Sequence, residues 1–200
     1  MINIAVFVSG NGTNLQAITD AIRKKTLKVN LALVISDNNQ AYALIRAKKA
    51  GIKNIFINPN NFTSKEDFEK EIVKYLKQEK IDLIILAGFM RILSKHFVRA
   101  YKNKILNIHP SLLPSFKGSY GIRDAFNYGV KITGVTVHFV DEKMDHGPII
   151  LQEVIKINEK DTLKSLEEKI HKIEHKLYPE AIKLVSIGKI KIKGRKVEVS

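Results

Sequence analysis

An amide and an imidazole two positions apart, Asn107 and His109, are the residues of this sequence best suited to chemistry. They lie at the end of a short apolar segment that predicts a β-strand, and side chains two apart in a strand point to the same side. Pro110 holds His109 in an extended conformation. Both side chains can hydrogen-bond a carbonyl oxygen that becomes an oxyanion, so the pair indicates acyl-type transfer. The alternative is a structural histidine, hydrogen-bonded at a strand end.

A carboxylate that can serve this histidine lies far along the chain, in the sequence Asp145-His146-Gly147-Pro148. Next to His109 it would favour the imidazolium form, because an opposite charge stabilises the protonated ring. General acid–base catalysis of this kind contributes roughly 10²–10⁴-fold to a rate. The alternative for Asp145 is an ordinary turn residue in front of a glycine.

The first predicted strand ends in Ser9-Gly10-Asn11-Gly12-Thr13-Asn14 and leads into a predicted helix. Backbone N–H groups at a helix N-terminus favour an anion, and glycine lets the backbone approach it closely. Leu15 replaces the third glycine of a dinucleotide fingerprint, no P-loop lysine is present, and no acidic residue clearly ends the second strand as a ribose ligand. The turn predicts a phosphate site. The alternative is a tight turn whose helix is capped by Thr13 or Asn14.

Other histidines carry weaker signals. His171 and His175 are four apart on a predicted helix and have the spacing of metal ligands. The residue after the first is Lys172 where a zincin motif has glutamate, which disfavours a metal site. His138, in an alternating strand, and His96, on a short helix, are interpreted as structural.

The elements that position these residues alternate between strand and helix. Apolar runs predict strands at 2–8, 29–35, 55–57, 81–87 and 105–108. Helical patterns separate them, and one helix begins with a predicted capping box of Thr63 and Glu66. This alternation predicts a parallel sheet with right-handed crossovers and with the run 81–87 at its centre. Ligands bind beyond the carboxyl ends of such strands, where the glycine turn, segment 90–93 and the Asn107/His109 pair all lie.

The pattern changes after residue 109. Residues 133–140 and 149–155 predict longer, antiparallel strands, 162–185 a long helix, and 189–199 a terminal hairpin. The predicted fold class is α/β, an open, mostly parallel twisted sheet with helices on both faces and a C-terminal β-hairpin. We expect a single domain over 1–200. Its half 1–109 holds the phosphate site, and its half 110–200 contributes loops, later strands and the long helix.

Composition narrows the function classes. The chain has 200 residues and a mass of 22.7 kDa, and its absence of cysteine excludes a disulfide scaffold, an iron–sulfur cluster and a cysteine nucleophile. The net charge is +14, but the lysines are spread along the chain and aromatic residues are not interleaved with them, so we expect no nucleic-acid partner. No apolar run approaches the roughly 20 residues that cross a bilayer, and a cytoplasmic location is expected.

Taken together, several segments resemble the phosphoribosylglycinamide formyltransferase family, folate-dependent enzymes of purine biosynthesis. They match the family in order and spacing over nearly the whole chain. The matching segments are residues 9–16, 86–94, 106–114 and 136–140, Asp145 with Gly147-Pro148, and Glu174-His175 before Tyr178-Pro179. The resemblance implies a Rossmann-like formyltransferase fold. It also implies transfer of a formyl group from 10-formyltetrahydrofolate, as co-substrate, to the amino group of glycinamide ribonucleotide, without a metal.

The resemblance further implies roles for individual residues. Asn107 and His109 would bind the formyl oxygen, and Asp145 would keep His109 charged and oriented. The implied ligands of glycinamide ribonucleotide are Gly12, Thr13 and Asn14 at its phosphate, with His171, Lys172 and Glu174 near its other end. The implied folate-binding residues are Lys65, Met90, Arg91, Ile92, Leu93, Asn107, Asp141, Glu142, Lys143, Met144 and Asp145. Several family members carry a histidine in the loop after the second proline, whereas this loop has Tyr120 and no histidine, which departs from the family pattern.

Rival interpretations remain open at this point. Methionyl-tRNA formyltransferases share the catalytic strand but carry a further C-terminal domain, for which we expect no room here. Formyltetrahydrofolate hydrolases carry a further N-terminal domain, whereas this chain begins directly with its first strand. Two other classes are a basic nucleic-acid-binding module and an inert phosphosugar-binding domain. The two small-molecule substrates are the expected partners, with no membrane, and the protein is expected to be a monomer or a homodimer.

Overall fold

The computed structural model describes residues 1–199, and these residues form nine strands and six α-helices. The strands are β1 (Asn3–Val8), β2 (Asn30–Ser36), β3 (Asn54–Phe56), β4 (Leu83–Leu86), β5 (Ile105–His109), β6 (Ile132–Phe139), β7 (Ile149–Lys156), β8 (Ile190–Lys193) and β9 (Lys196–Val199). The helices are α1 (Thr13–Arg23), α2 (Tyr42–Lys49), α3 (Lys65–Gln78), α4 (Lys95–Ala100), α5 (Gly121–Tyr128) and α6 (Leu163–Ser186). No helix within these residues is long and apolar enough to span a membrane.

The main sheet has the strand order β3-β2-β1-β4-β5-β6-β7. Strands β1 to β5 pair in parallel, and β6 and β7 continue the sheet with antiparallel pairing. β8 and β9 form a separate antiparallel hairpin. The predicted fold class is therefore confirmed, and the apolar strand β4 lies at the centre of the sheet as its sequence indicates.

The buried strand β1 explains why helices cover both faces. Successive side chains of a strand point to opposite faces. Ile4, Val6 and Val8 pack with buried residues of α1 and α6 on one face. Ala5 and Phe7 pack with buried residues of α3 and α4 on the other. An uninterrupted apolar run is what a strand with two covered faces requires.

Helix α6 ties one face of the sheet to the ends of the central strands. Thr162 caps it in a capping box with Ser165. In its second half the fully buried Tyr178 hydroxyl lies 2.8 Å from the Leu86 carbonyl oxygen and 3.1 Å from that of Leu106, and shares its proton between them. Burial raises the pKa of Tyr178, so the hydroxyl remains a donor. This contact fixes α6 beside the residue that precedes Asn107.

One predicted cap is wrong by one position. The N-cap of α3 is Ser64, whose hydroxyl accepts the Asp67 N–H at 3.0 Å, and not the predicted pair Thr63 and Glu66. Thr63 contributes only a hydrogen bond to the Asp67 carboxylate. Adjacent hydroxyl residues offer equivalent caps, and the pattern of one sequence cannot choose between them.

Candidate active site

A cavity of about 500 Å³ lies beyond the carboxyl ends of β1, β4 and β5. The structure brings together most of the predicted site residues in its lining. These are Gly12, Thr13, Asn14, Met90, Arg91, Ile92, Leu93, Asn107, His109, Asp141, Glu142, Lys143, Met144, Asp145, His171 and Glu174. Lys65 and Lys172 are not among the lining residues. Tyr120 is also absent from the lining, whereas its neighbour Ser119 is present.

The predicted trio Asn107, His109 and Asp145 meets in this cavity. Asn107 and His109 lie on β5, whose partner strand β6 leads into the loop that carries Asp145. His109 is 4% exposed, and its Nδ1 lies 3.5 Å from Asp145 Oδ2. This is an ion-pair distance, longer than a direct hydrogen bond. The Asp145 carboxylate therefore faces Nδ1 without a direct hydrogen bond to it.

The other ring nitrogen of His109 is already engaged. Its Nε2–H donates to the Phe116 carbonyl oxygen at 2.7 Å. Gly121 permits this approach, because a Cβ there would lie 3.2 Å from Nε2 and 3.0 Å from the Phe116 oxygen. With Nε2 engaged by the Phe116 carbonyl oxygen, Nδ1 is the ring nitrogen left to face Asp145.

Local backbone geometry explains the spacing of Asp145 and Gly147. Asp145 adopts a left-handed φ of 47°, which aspartate tolerates better than most residues. Its Oδ2 accepts the Gly118 N–H at 2.8 Å, which orients the carboxylate. A Cβ at Gly147 would lie 1.9 Å from the Phe139 carbonyl oxygen, so glycine is needed for the loop to return to the sheet.

His138 belongs to the site, although its sequence context indicated a structural role. It pairs with Asn107 across β5 and β6 and lines the cavity. Its Nδ1–H donates to the Phe139 carbonyl oxygen at 2.8 Å, and its Nε2 accepts from Asn107 Nδ2 at 3.2 Å. Burial lowers the pKa of His138, which favours the neutral ring that this acceptor role requires. Asp145 Oδ1 lies 3.8 Å from the same Nε2.

The glycine turn, residues 9–14, presents its backbone to the cavity. Gly12 is the N-cap of α1, with φ 69° and no side-chain cap, so the alternative of a cap by Thr13 or Asn14 is wrong. A Cβ at Gly12 would lie 2.6 Å from Ala43 Cβ, which requires glycine for steric as well as conformational reasons. The first N–H groups of α1 have no intrahelical acceptor and are oriented for an anion.

Glu174 connects this turn to α6. It is 5% exposed, and its Oε2 accepts from Asn14 Nδ2 at 3.1 Å and from His171 Nδ1 at 3.0 Å. The hydrogen bond that His171 donates to Glu174 raises the pKa of His171. Asn14 Oδ1 is buried without a hydrogen-bond partner among the described residues, which leaves it available to a donor in the cavity. Lys172 projects elsewhere because each helical residue turns by about 100° from its neighbour.

A second region of the cavity lining is the outer wall, residues 90–93 and 141–145. Its apolar members Met90, Ile92 and Met144 are 71%, 66% and 53% exposed. The Arg91 guanidinium lies 5.3 Å from the centre of the Phe68 ring. Glu142 makes a paired contact with Arg99 at 2.7 and 2.9 Å.

Two buried or half-buried acidic groups support the outer wall without lining the cavity. Asp37, just after β2, accepts from Ser9 Oγ at 2.6 Å, and this Oγ in turn accepts the Met90 N–H at 2.9 Å. Sequence reasoning missed Asp37 because the second strand was predicted to end at residue 35. Buried Glu69 accepts from the backbone N–H and hydroxyl of Ser94, where the outer wall ends.

The part of the chain that the structure describes has no cluster of potential metal ligands. Residues 1–199 contain no group of three or more histidine and carboxylate side chains arranged to hold an ion. The rings of His171 and His175 stack with their centres 6.4 Å apart. Burial lowers the pKa of His175.

Comparison with known proteins defines the class. Residues 2–182 match a family model described as formyl transferase. The chain is 45% identical to phosphoribosylglycinamide formyltransferase of Bacillus subtilis over 92% of this chain and 94% of that protein. It is 43% identical to the trifunctional purine biosynthetic protein adenosine-3 of Bos taurus, over 94% of this chain and 19% of that protein.

A solved structure extends the likeness to three dimensions. Glycinamide ribonucleotide transformylase 1 from Symbiobacterium toebii matches with a TM-score of 0.97 and 44% identity, covering 100% of this chain and 94% of that chain. The fold and the matching relatives define a group-transfer enzyme. The chain belongs to the formyl transferase family, in the branch of the phosphoribosylglycinamide formyltransferases.

Proposed function

We propose that this enzyme transfers the formyl group of 10-formyltetrahydrofolate to the amino group of glycinamide ribonucleotide in purine biosynthesis. The products are formylglycinamide ribonucleotide and tetrahydrofolate. The observation that carries the proposal is that one cavity is lined by the trio Asn107, His109 and Asp145 and by the glycine turn at the N-terminus of α1. Such a cavity holds both reactants at once, and proximity then supplies much of the acceleration.

His109 is the proposed acid of the reaction. The substrate amine attacks the formyl carbon, a C–N bond forms, and the carbonyl oxygen becomes an oxyanion. Nδ1–H of His109 stabilises this oxyanion, since Nε2 is held by the Phe116 carbonyl oxygen and the Asp145 carboxylate lies 3.5 Å from Nδ1. When the tetrahedral carbon collapses, the bond to the folate nitrogen breaks. That nitrogen receives a proton with the help of His109, and the former amine releases one.

Asn107 is the proposed second donor to the oxyanion. One N–H of its amide group donates to neutral His138, which fixes which end of the amide is the nitrogen. The second N–H of the same group is then free to donate to the formyl oxygen. His138 acts here as a positioning residue.

The two substrates occupy opposite ends of the cavity in this proposal. The N–H groups of Gly12, Thr13 and Asn14 hold the phosphate of glycinamide ribonucleotide, and His171 and Glu174 face its remainder. The outer wall, residues 90–93 and 141–145, receives the pterin of the folate. Lys65 and Lys172 stay predicted contacts of folate and of glycinamide ribonucleotide, respectively, from positions outside the lining.

The proposal extends to the setting of the reaction. The enzyme acts in the cytoplasm on two small molecules, as a monomer or homodimer, without nucleic acid or membrane. Residues 1–200 act as one domain in which the half 1–109 binds phosphate. The sheet supports this, since strands from both halves form it continuously.

Amine dependence tests the function. We expect release of tetrahydrofolate from 10-formyltetrahydrofolate only when glycinamide ribonucleotide is present, with stoichiometric formylated product. Release without the amine would identify a hydrolase. Formylation of methionyl-tRNA in its place would identify the other transferase. Either result contradicts the proposal.

A further inference from the structure

Arg46 contacts the glycine turn from the side opposite the active-site cavity. It lies on α2, where its Nε donates to the Asn11 carbonyl oxygen at 2.8 Å and its Nη1 donates to Gln16 Oε1 at 3.1 Å. Its guanidinium also lies 4.9 Å from the centre of the Tyr42 ring. The planar fork of arginine is well suited to satisfy several such contacts at once. These contacts hold the guanidinium in one place against the turn.

We propose that Arg46 is a positioning residue that aims the Gly12 N–H at the substrate phosphate. The proposal rests on the proposed function, which places that phosphate at the turn. The peptide between Asn11 and Gly12 is planar and trans, so its carbonyl and its N–H point in opposite directions. By holding the Asn11 carbonyl on the α2 side, Arg46 turns the Gly12 N–H to the other side.

The linings of the two cavities beside the glycine turn support this orientation of the Gly12 N–H. Gly12 lines the active-site cavity and Arg46 does not. Arg46 instead lines a second cavity of about 560 Å³ on the α2 side, together with Gln16. The guanidinium therefore acts on the turn from behind and does not touch the substrate.

The neighbouring carbonyls of the turn are held away in the same manner. Gly10 O accepts the Ala43 N–H of α2 at 3.1 Å, and Gly12 O accepts the Gln16 N–H of α1 at 3.0 Å. Three successive carbonyl dipoles are thus engaged by the protein, and N–H groups are left for the anion. The donors to Gly10 and Gly12 are backbone groups. Arg46 supplies its donor from a side chain, so this contact can be removed by substitution.

Hydrogen bonding and net charge can be separated with a matched set of variants. Arg46→Ala removes both. Arg46→Lys keeps the charge but lacks the fork that reaches Asn11 and Gln16 together. Lys49→Ala removes one charge from an exposed position on the same helix.

The experiment measures kcat and both KM values, and follows the Gly12 amide by NMR during titration with inorganic phosphate. For Arg46→Ala we expect the KM for glycinamide ribonucleotide to rise about tenfold, equivalent to about 1.4 kcal/mol, with kcat and the folate KM within about twofold. The phosphate response of the Gly12 amide should weaken in parallel. Arg46→Lys should recover less than half of the loss, and Lys49→Ala should behave as the wild type.

Several outcomes overturn this assignment. An unchanged KM in Arg46→Ala refutes it, as does an equal loss in kcat and both KM values, which would signal general damage. Full recovery by Arg46→Lys, or the same rise in Lys49→Ala, would assign the effect to net charge. Should Arg46→Ala unfold, Arg46→Gln carries the same expectation. A wild-type Gly12 amide that ignores phosphate refutes the phosphate site itself, which distinguishes that failure from a failure of Arg46 alone.

Discussion

The glycine turn and the outer wall, two regions of the cavity lining, are built in different ways. At the glycine turn, backbone carbonyls are bonded by α1 and α2, and Gly12 packs against Ala43 with no room for a side chain. At the outer wall, Met90, Ile92 and Met144 are each more than half exposed. The glycine turn is held by protein hydrogen bonds and packing, whereas the outer wall presents exposed apolar side chains.

This difference suits the two ligands proposed for the ends. A phosphate is small and charged, so its binding depends on donors whose directions are set in advance. A pterin is large and flat, and methionine adapts its shape to such a surface at low cost. The turn is therefore expected to be sensitive to small backbone changes, and the outer wall to tolerate substitution.

The largest effect is expected where the two ends meet. His109→Ala and Asp145→Asn should each lower turnover by about 10²–10⁴-fold, because the first removes the proposed acid and the second removes the carboxylate charge that faces its Nδ1. The double variant should lose little more than either single one, since the two side chains act as a pair. Steady-state assays check this, with His96→Ala, at an exposed position of α4, as the control histidine variant. Near-normal turnover in either single variant would refute the assigned roles.

The second prediction tests the rigidity of the turn. Gly12→Ala places a Cβ 2.6 Å from Ala43 Cβ at a φ of 69°. Gly51→Ala has the same backbone problem, at φ 71°, but no atom within 4 Å of the new Cβ. Left-handed strain costs about 1–2 kcal/mol, so both should lose that much unfolding free energy and Gly12→Ala measurably more. Equal losses by urea denaturation would show that the turn is not held tightly against α2.

The strand-end part of the site was predictable because it depends on local rules. Two-residue periodicity placed Asn107 and His109 on one side of a strand, and parallel topology placed them beside the first turn. Neither rule requires knowledge of the residue-by-residue register between neighbouring strands. The position of Asp145 relative to them came from the family resemblance, because loop geometry is not encoded in a periodic pattern.

His138 was missed for a reason that applies to any strand pair. A shift of one residue in the register of β6 against β5 would move His138 to the opposite face of the sheet. The sequence carries no signal that fixes this register. Lys172 shows the converse, because proximity in sequence to His171 and Glu174 does not put it on the same face of α6. Arg46 contacts the turn only through the packing of α2, which sequence alone does not reveal.

A third, smaller effect is the pH dependence of the unfolding free energy that His138 and His171 contribute. Burial lowers the pKa of His138, so at mildly acidic pH this histidine binds a proton more readily in the unfolded chain than in the folded one. The unfolding free energy therefore falls as pH drops below about 6.5. Glu174 raises the pKa of His171, so its contribution is present at low pH and is lost as pH rises.

The two histidines therefore have opposite signs, which variants can reveal. Between pH 8 and pH 5, His138→Gln should show a shallower acid loss of unfolding free energy than the wild type. His171→Gln should show a steeper one. Urea denaturation at four pH values checks both. The same change of slope in both variants would contradict the assigned environments.

The smallest effect is expected at the outer wall. Met144→Ala removes an apolar side chain that is 53% exposed, so unfolding free energy should change by no more than about 0.5 kcal/mol. Lost contact with the pterin should raise the folate KM about two- to fivefold, with kcat and the KM for glycinamide ribonucleotide unchanged. Ile187→Ala, at 52% exposure beyond the end of α6, is the matched control and should alter neither KM. If Met144→Ala raised the KM for glycinamide ribonucleotide instead, the two ends of the cavity would have to exchange ligands, because an adaptable apolar surface has no reason to govern phosphate binding.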